Sequence, residues 1–219
     1  MIRRATADDI DAIARLHGRV LDWSINGRLG TDHLRTMYGA LFRGDDIVAF
    51  VAEYKAGLAG FMVATSDLRQ ARSRMRRVLG FRGMARILLG SSLHPADWID
   101  LLETATVVPR AMRRVRAAAE LLAWVSDPAL AIGRVAAYRC MMATLDEMER
   151  RGHRRCYAQV LRSNHGPHEF HRRLGSRVTA KFIRNVIYEV DCTEARRSAL
   201  SPGRSSTRAT DREMSSAIP

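Results

Sequence analysis

Residues 120–176 read ELLAWVSDPALAIGRVAAYRCMMATLDEMERRGHRRCYAQVLRSNHGPHEFHRRLGS. The apolar run Leu121 to Val125 has strand length and is broken at Asp127-Pro128. After Gly133 comes an eighteen-residue segment with apolar residues at helical spacing, which stops at Gly152. A second strand-like run, Cys156 to Leu161, follows. Asn164 then opens a short helical stretch that ends at Leu174-Gly175. The pattern predicts a βαβα unit, and a helical crossover of this length joins parallel strands.

This stretch resembles the GNAT superfamily of acyl-CoA-dependent N-acyltransferases, whose pattern is a strand, a proline, a glycine-rich turn opening a helix, a second strand, and then an Asn followed by Phe-Tyr and Gly. Aligned without gaps, the family strand falls on Glu120 to Ser126 and its proline on Pro128. Its asparagine falls on Asn164, its phenylalanine on Phe170, its tyrosine on His171 and its last glycine on Gly175. The phosphate loop departs from the pattern. The family's loop arginine becomes Ala131, the next glycine Ile132, the first glycine of the G-x-G/A pair Arg134, and only the closing small residue survives as Ala136. A shift of one residue places Gly133 on the first glycine and Val135 where Gly or Ala is expected.

The resemblance implies an α/β fold with a mixed, mostly antiparallel central sheet and flanking helices. It also implies transfer of an acetyl or other acyl group from acyl-CoA to an amine. In that family, backbone N–H groups and the positive end of a helix hold the CoA diphosphate. The residues implied to hold the pantetheine and diphosphate are Val125, Ser126, Ile132, Gly133, Arg134, Val135 and Ala136, with Asn164 and Phe170 beside the pantetheine arm. Glu120 is the expected base. His171 stands at the tyrosine that often protonates the departing thiolate, a task an imidazolium can also perform.

The chain around this unit is consistent with one domain and a tail. Its 219 residues, 47% apolar and 27% charged, suffice for one core. Residues 1–192 are expected to form the domain, with a helical insertion at 67–119, and residues 193–219 a disordered tail poor in large apolar residues. Three cysteines, Cys140, Cys156 and Cys192, make no disulfide framework, and no run reaches membrane-spanning length; a cytoplasmic protein is expected.

At the amino end, Ile2 to Ala5 reads as a strand and Thr6-x-x-Asp9 as a capping box before a helix whose apolar positions are Ile10, Ile13, Leu16 and Val20. Trp23 to Gly30 interrupts the pattern before Thr31 caps a second helix. The interruption reads equally as an acceptor-cleft border or as a plain connection. Asp46 to Tyr54 and Leu58 to Ser66 form a hairpin. Glu53 in its first strand reads as a solvent-facing edge carboxylate, and Arg177 to Val190 supplies the last strands.

Charge is the remaining signal. The net charge of +13 is carried by 34 arginines against 2 lysines. Such a surface can serve CoA phosphates, an acidic carrier protein, nucleic acid or anionic lipid. No zinc-finger, helix-turn-helix or RNA-binding motif accompanies it, so no nucleic acid is expected. Between Arg69 and Gly90 seven arginines and no acid interleave with an apolar stripe, which predicts basic amphipathic helices packed on the sheet, and another helix is expected from His94-Pro95. His165, His168 and His171 lie three apart, and about 600° separates the first from the last on a helix, so no metal is expected. Two other readings stay open: a GNAT-fold module that binds without catalysis, and a basic surface adaptor.

Overall fold

The computed structural model describes residues 1–55, 57–77, 98–99, 102–115 and 117–195. Seven strands form one sheet: β1 (Ile2–Arg4), β2 (Ile47–Tyr54), β3 (Gly57–Thr65), β4 (Glu120–Ser126), β5 (Arg155–Leu161), β6 (Arg177–Lys181) and β7 (Asn185–Asp191). Their spatial order is β1-β2-β3-β4-β5-β7-β6. Only β4 and β5 run parallel, as the βαβα reading requires; every other pair is antiparallel.

Helices cover both faces. On one lie α1 (Ile10–Val20), the short α2 (Ile25–Arg28) and α3 (Thr31–Leu41). Their buried residues Ile13, Leu16, Leu34, Met37 and Tyr38 pack with Phe61, Val63 and Val125 of the central strands. On the other face the long helix α6 (Gly133–Arg150) buries Ala136, Cys140, Met141, Leu145 and Met148 against Val48, Met62, Ala158 and Tyr188. The helix α7 (His165–Arg173) closes that face over β5 and β7. There His168 Nδ1 lies 2.8 Å from the Tyr188 hydroxyl, and its Nε2 3.0 Å from the Leu161 carbonyl oxygen.

The capping box forms as expected, with the Thr6 N–H donating to Asp9 at 2.8 Å. Asp9 and Glu53 then share Arg3, so the edge carboxylate belongs to an ionic network tying β1 to β2. The segment from Trp23 contains a helix that sequence spacing did not suggest. Ser24 caps α2 by accepting from the Gly27 N–H at 3.0 Å, and Trp23 stays 44% exposed. The cap of α3 is Gly30, at φ 87°, rather than Thr31.

Two parts of the insertion can be described. Residues 68–77 form helix α4, with Leu68 and Ala71 buried and Met75 packed against the core. Its arginines are not all solvated: Arg74 meets Asp46 at 2.6 Å and Arg72 meets Glu120 at 3.3 Å. A π-helical turn, Glu103–Val107, leads into α5 (Val108–Arg114), whose Val108 and Met112 pack with Tyr157 and Ile187 of β5 and β7. The helix expected from His94-Pro95 and the rest of the stripe to Gly90 lie outside the described residues. At the carboxyl end, the Thr193 hydroxyl donates to Glu149 and Ala195 is buried, so the described chain packs beyond residue 192.

Candidate active site

The central feature is where β4 and β5 part. They pair only at Glu120 with Tyr157 and Leu121 with Ala158. At the same level β4 slips against β3, Val63 opposing Ala123 and Ala64 opposing Leu121, so Leu122 is an extra, bulged residue. Beyond the bulge β4 stays on β3 and leaves β5, opening a splay.

The ladder fixes which backbone groups face that splay. Asp127 donates its N–H to the Ala59 carbonyl at 2.9 Å. Hydrogen-bonded pairs alternate along an antiparallel ladder, so Val125 and Ala123 also turn toward β3. Trp124 and Ser126 therefore turn their N–H and C=O groups toward the splay, with no strand partner there among the described residues.

The splay ends at the start of α6. The Asp127 carboxylate accepts from the Ala129 N–H at 3.0 Å and pairs with Arg19 of α1. Leu130 and Gly133 donate their N–H groups to the carbonyls of Asp127 and Leu130. Gly133 is buried, whereas Ile132, Arg134 and Val135 are exposed on the first turn. The first-turn amides of any α-helix lack intrahelical acceptors and carry its positive partial charge. Those of Arg134 and Val135 thus lie at the mouth of the splay beside an exposed guanidinium.

Aromatic rings line the helix side. Trp124 donates its indole N–H to the Ala137 carbonyl at 2.8 Å, and its ring lies 4.2 Å from Phe170 of α7. Tyr138 of α6 meets Phe170 edge-on, and burial pushes its phenol above the usual range. Asn164 stands at the cap of α7, where β5 ends. Trp124 and Tyr138 were not among the sequence candidates, because only the folded packing of α6 on α7 brings them to Phe170.

Glu120 and His171 sit differently. Glu120 lies at the closed end of the β4–β5 pair, roughly 13 Å along the strand from Trp124 at ~3.3 Å per residue. It is 5% exposed, and burial raises its carboxyl above the ordinary range while the charge of Arg72 opposes that shift. His171 is 3% exposed, stacked on Tyr188 with ring centroids 4.5 Å apart, and its Nδ1 lies 3.1 Å from the Ser176 hydroxyl. Burial, with His168 nearby, lowers its pKa to about 4, so the ring is neutral at pH 7.

Opposite the helices, the insertion reaches the splay. Gln159, the first β5 residue past the paired segment, donates to Thr104 and to Asn185, both at 2.9 Å. Glu103, 6% exposed, accepts from the backbone N–H groups of Arg184 and Asn185 at 3.1 Å and from the Asn185 amide at 2.9 Å. One carboxylate thereby fixes the β6–β7 turn beside the splay. Among the described residues no His, Cys, Asp or Glu group is arranged to hold a metal, and no helix is long and apolar enough to cross a membrane.

No protein-family model and no curated protein matches the sequence. Solved structures do match. SsHAT aligns over 88% of this chain and 98% of its own, with TM-score 0.62 and 18% identity. YncA from Salmonella typhimurium, solved with acetyl-CoA, aligns over 88% and 93% with TM-score 0.55 and 18% identity. The PaiA N-acetyltransferase from Thermoplasma acidophilum, solved with coenzyme A, aligns over 87% and 98% with TM-score 0.54 and 14% identity. These likenesses, at 18% identity or less, show that the fold is that of the GNAT N-acetyltransferases.

Proposed function

We propose that the protein is an N-acyltransferase that takes an acyl group from a pantetheine thioester, acyl-CoA in the first instance, and gives it to an amine. The observation that carries this reading is the pair of splay-facing backbones, Trp124 and Ser126, at the foot of α6. An extended pantetheine arm can complete β4 as a missing strand would, its amides bonding to the Ser126 backbone and the Trp124 carbonyl and leaving the Trp124 backbone N–H for the thioester oxygen. The likeness to structures solved with CoA and acetyl-CoA supports the same donor.

The mouth fits a phosphate in part. The amides of Arg134 and Val135 and the Arg134 guanidinium can meet it, a charge-assisted contact replacing some of the missing glycine-loop contacts. Ser126, Ile132, Gly133 and Ala136 shape the wall on this side, with Val125 beneath, and Asn164 and Phe170 stand on the other.

In the reaction the amine nitrogen bonds to the thioester carbon, and the carbonyl oxygen gains negative charge. The Trp124 N–H is the donor aimed at that oxyanion. Collapse breaks the C–S bond, the thiolate leaving with the electron pair and taking a proton from solvent. The proton lost by the amine passes along a chain of waters to Glu120, whose carboxyl burial raises above the ordinary range. His171, neutral and stacked on Tyr188, acts as a positioning residue for α7. Gln159, Thr104 and Asn185 line the acceptor side. An amine screen with acetyl-CoA and longer acyl-CoAs, corrected for thioester hydrolysis, tests the reading. Amine-dependent thiol release supports it, and no release with any donor contradicts it.

A further inference from the structure

A pantetheine arm in the splay must leave its carrier on the surface around the start of α6, so the make-up of that surface bears on what the donor is. Ile132 is 40% exposed and Val135 50% exposed. Spaced three and four apart, Ile132, Val135 and the exposed Arg139 form one strip on the solvent face of α6, and the exposed Arg134 lies about 100° round the helix from Val135, at the first turn. From Pro128 to Leu145 the chain holds these two arginines and no acid. An apolar strip with arginines that have no acidic partner among the described residues matches the core and rim of a protein interface and calls for an acidic partner.

The loop gives a second reason. Three of its N–H groups, those of Ala129, Leu130 and Gly133, are already bonded inside the protein. The diphosphate and 3′-phosphate of CoA ask for many donors. The single phosphodiester that joins a phosphopantetheine arm to a protein serine asks for few, and the remaining affinity then comes from the carrier's own surface.

We propose, resting on the acyltransferase reading, that the donor is delivered by an acidic acyl carrier protein, which lands on Ile132, Arg134, Val135 and Arg139 while its arm enters the splay. Arg139 is the diagnostic residue, since it lies a turn beyond the phosphate mouth and belongs to the carrier contact alone.

The test is binding of fluorescently labelled holo acyl carrier protein, with the apo carrier and free CoA measured alongside, to the wild type, Arg139→Glu and Arg139→Lys. The holo carrier is expected to bind at least about tenfold more tightly than CoA, and to weaken with rising salt. Arg139→Glu is expected to lose about tenfold of carrier affinity without changing CoA affinity, and Arg139→Lys to recover most of it. CoA binding as tight as, or tighter than, that of the holo carrier would overturn this inference and leave the acyltransferase reading standing. Equal carrier binding by the wild type and Arg139→Glu would overturn the landing surface. Binding of neither donor would overturn both readings together.

Discussion

Gly133 lies so close to the carbonyl of Asp127 that a Cβ built on it would stand 2.2 Å from that oxygen. The end of β4 and the start of α6 are thereby drawn into contact, which fixes the helix N-terminus at the mouth of the splay. This glycine is kept for clearance inside the protein, while its neighbour Arg134 faces outward.

The clearance predicts a large effect from one methyl group. Gly133→Ala should destabilise the fold by about 2–4 kcal/mol through overpacking against backbone. Ala131→Gly, at an exposed position in the same loop, should change stability by about 1 kcal/mol or less. Urea unfolding of both variants checks this, and a Gly133→Ala midpoint equal to the wild type would refute the contact.

The pair of buried Glu120 and half-buried Arg72 predicts unequal outcomes for its two halves. Arg72→Ala leaves a buried carboxylate without its cation and should cost about 1–3 kcal/mol, whereas Glu120→Gln should cost less. Burial raises the folded pKa of Glu120 above its unfolded value, so the native state loses stability as pH rises through and above the ordinary carboxylate range. Arg72→Ala raises that pKa further and should move the acid limb of the activity profile to higher pH. If Glu120 is the base, Glu120→Gln should lower kcat by about a hundredfold or more; unchanged turnover would remove it from the mechanism.

His171 should act through stability rather than as a charged acid. Its folded pKa, about 4, lies below the unfolded value near 6.5. The contribution of the neutral ring is therefore whole above pH 6.5 and is lost as pH falls toward 4, to a total of about 3 kcal/mol. His17, 5% exposed with Nδ1 2.6 Å from the Tyr38 hydroxyl, shows the same depression to about 4 and adds to the same acid limb. Thermal unfolding between pH 4 and 7 should be less pH-dependent in His171→Phe. The alkaline limb of the activity profile should stay put in His171→Tyr; a shift of that limb would restore His171 as the acid.

The insertion should prove structural where Glu103 touches the β6–β7 turn. Glu103→Ala strands the half-buried Arg184 N–H, the buried Asn185 N–H and the Asn185 amide, and should destabilise by about 2–4 kcal/mol. Glu103→Gln, which keeps an accepting oxygen, should recover part of the loss. Hydrogen exchange at residues 184 and 185 checks it, and unaltered protection in Glu103→Ala would contradict the clamp.

Much of the architecture was legible because it is local. The apolar run Leu121 to Val125, the lone Gly133 and the stop before Gly152, which sits at φ 84°, placed β4 and α6 to within about a residue at each end. The hairpin and the capping box followed from equally short-range chemistry. What stayed hidden is long-range. The bulge at Leu122 exists only against β3, Trp124 reaches Phe170 only once α6 and α7 pack, and Glu103 reads as one acid in an insertion until it meets a turn 81 residues away. His171 matched a family position by count, but its burial against Tyr188 came from the fold. The short α2 was missed because two glycines hid it, one of them, Gly27, packed against the Leu21 carbonyl.

The most direct test of the pantetheine slot is amide hydrogen exchange at Trp124 and Ser126 with saturating CoA and with saturating acetyl-CoA. The Ser126 amide is expected to gain protection with either, and the Trp124 amide, which faces the thioester oxygen, with acetyl-CoA, while Ala123 and Val125, already bonded to β3, change little. Unchanged exchange at both Trp124 and Ser126 with acetyl-CoA in excess would contradict the slot.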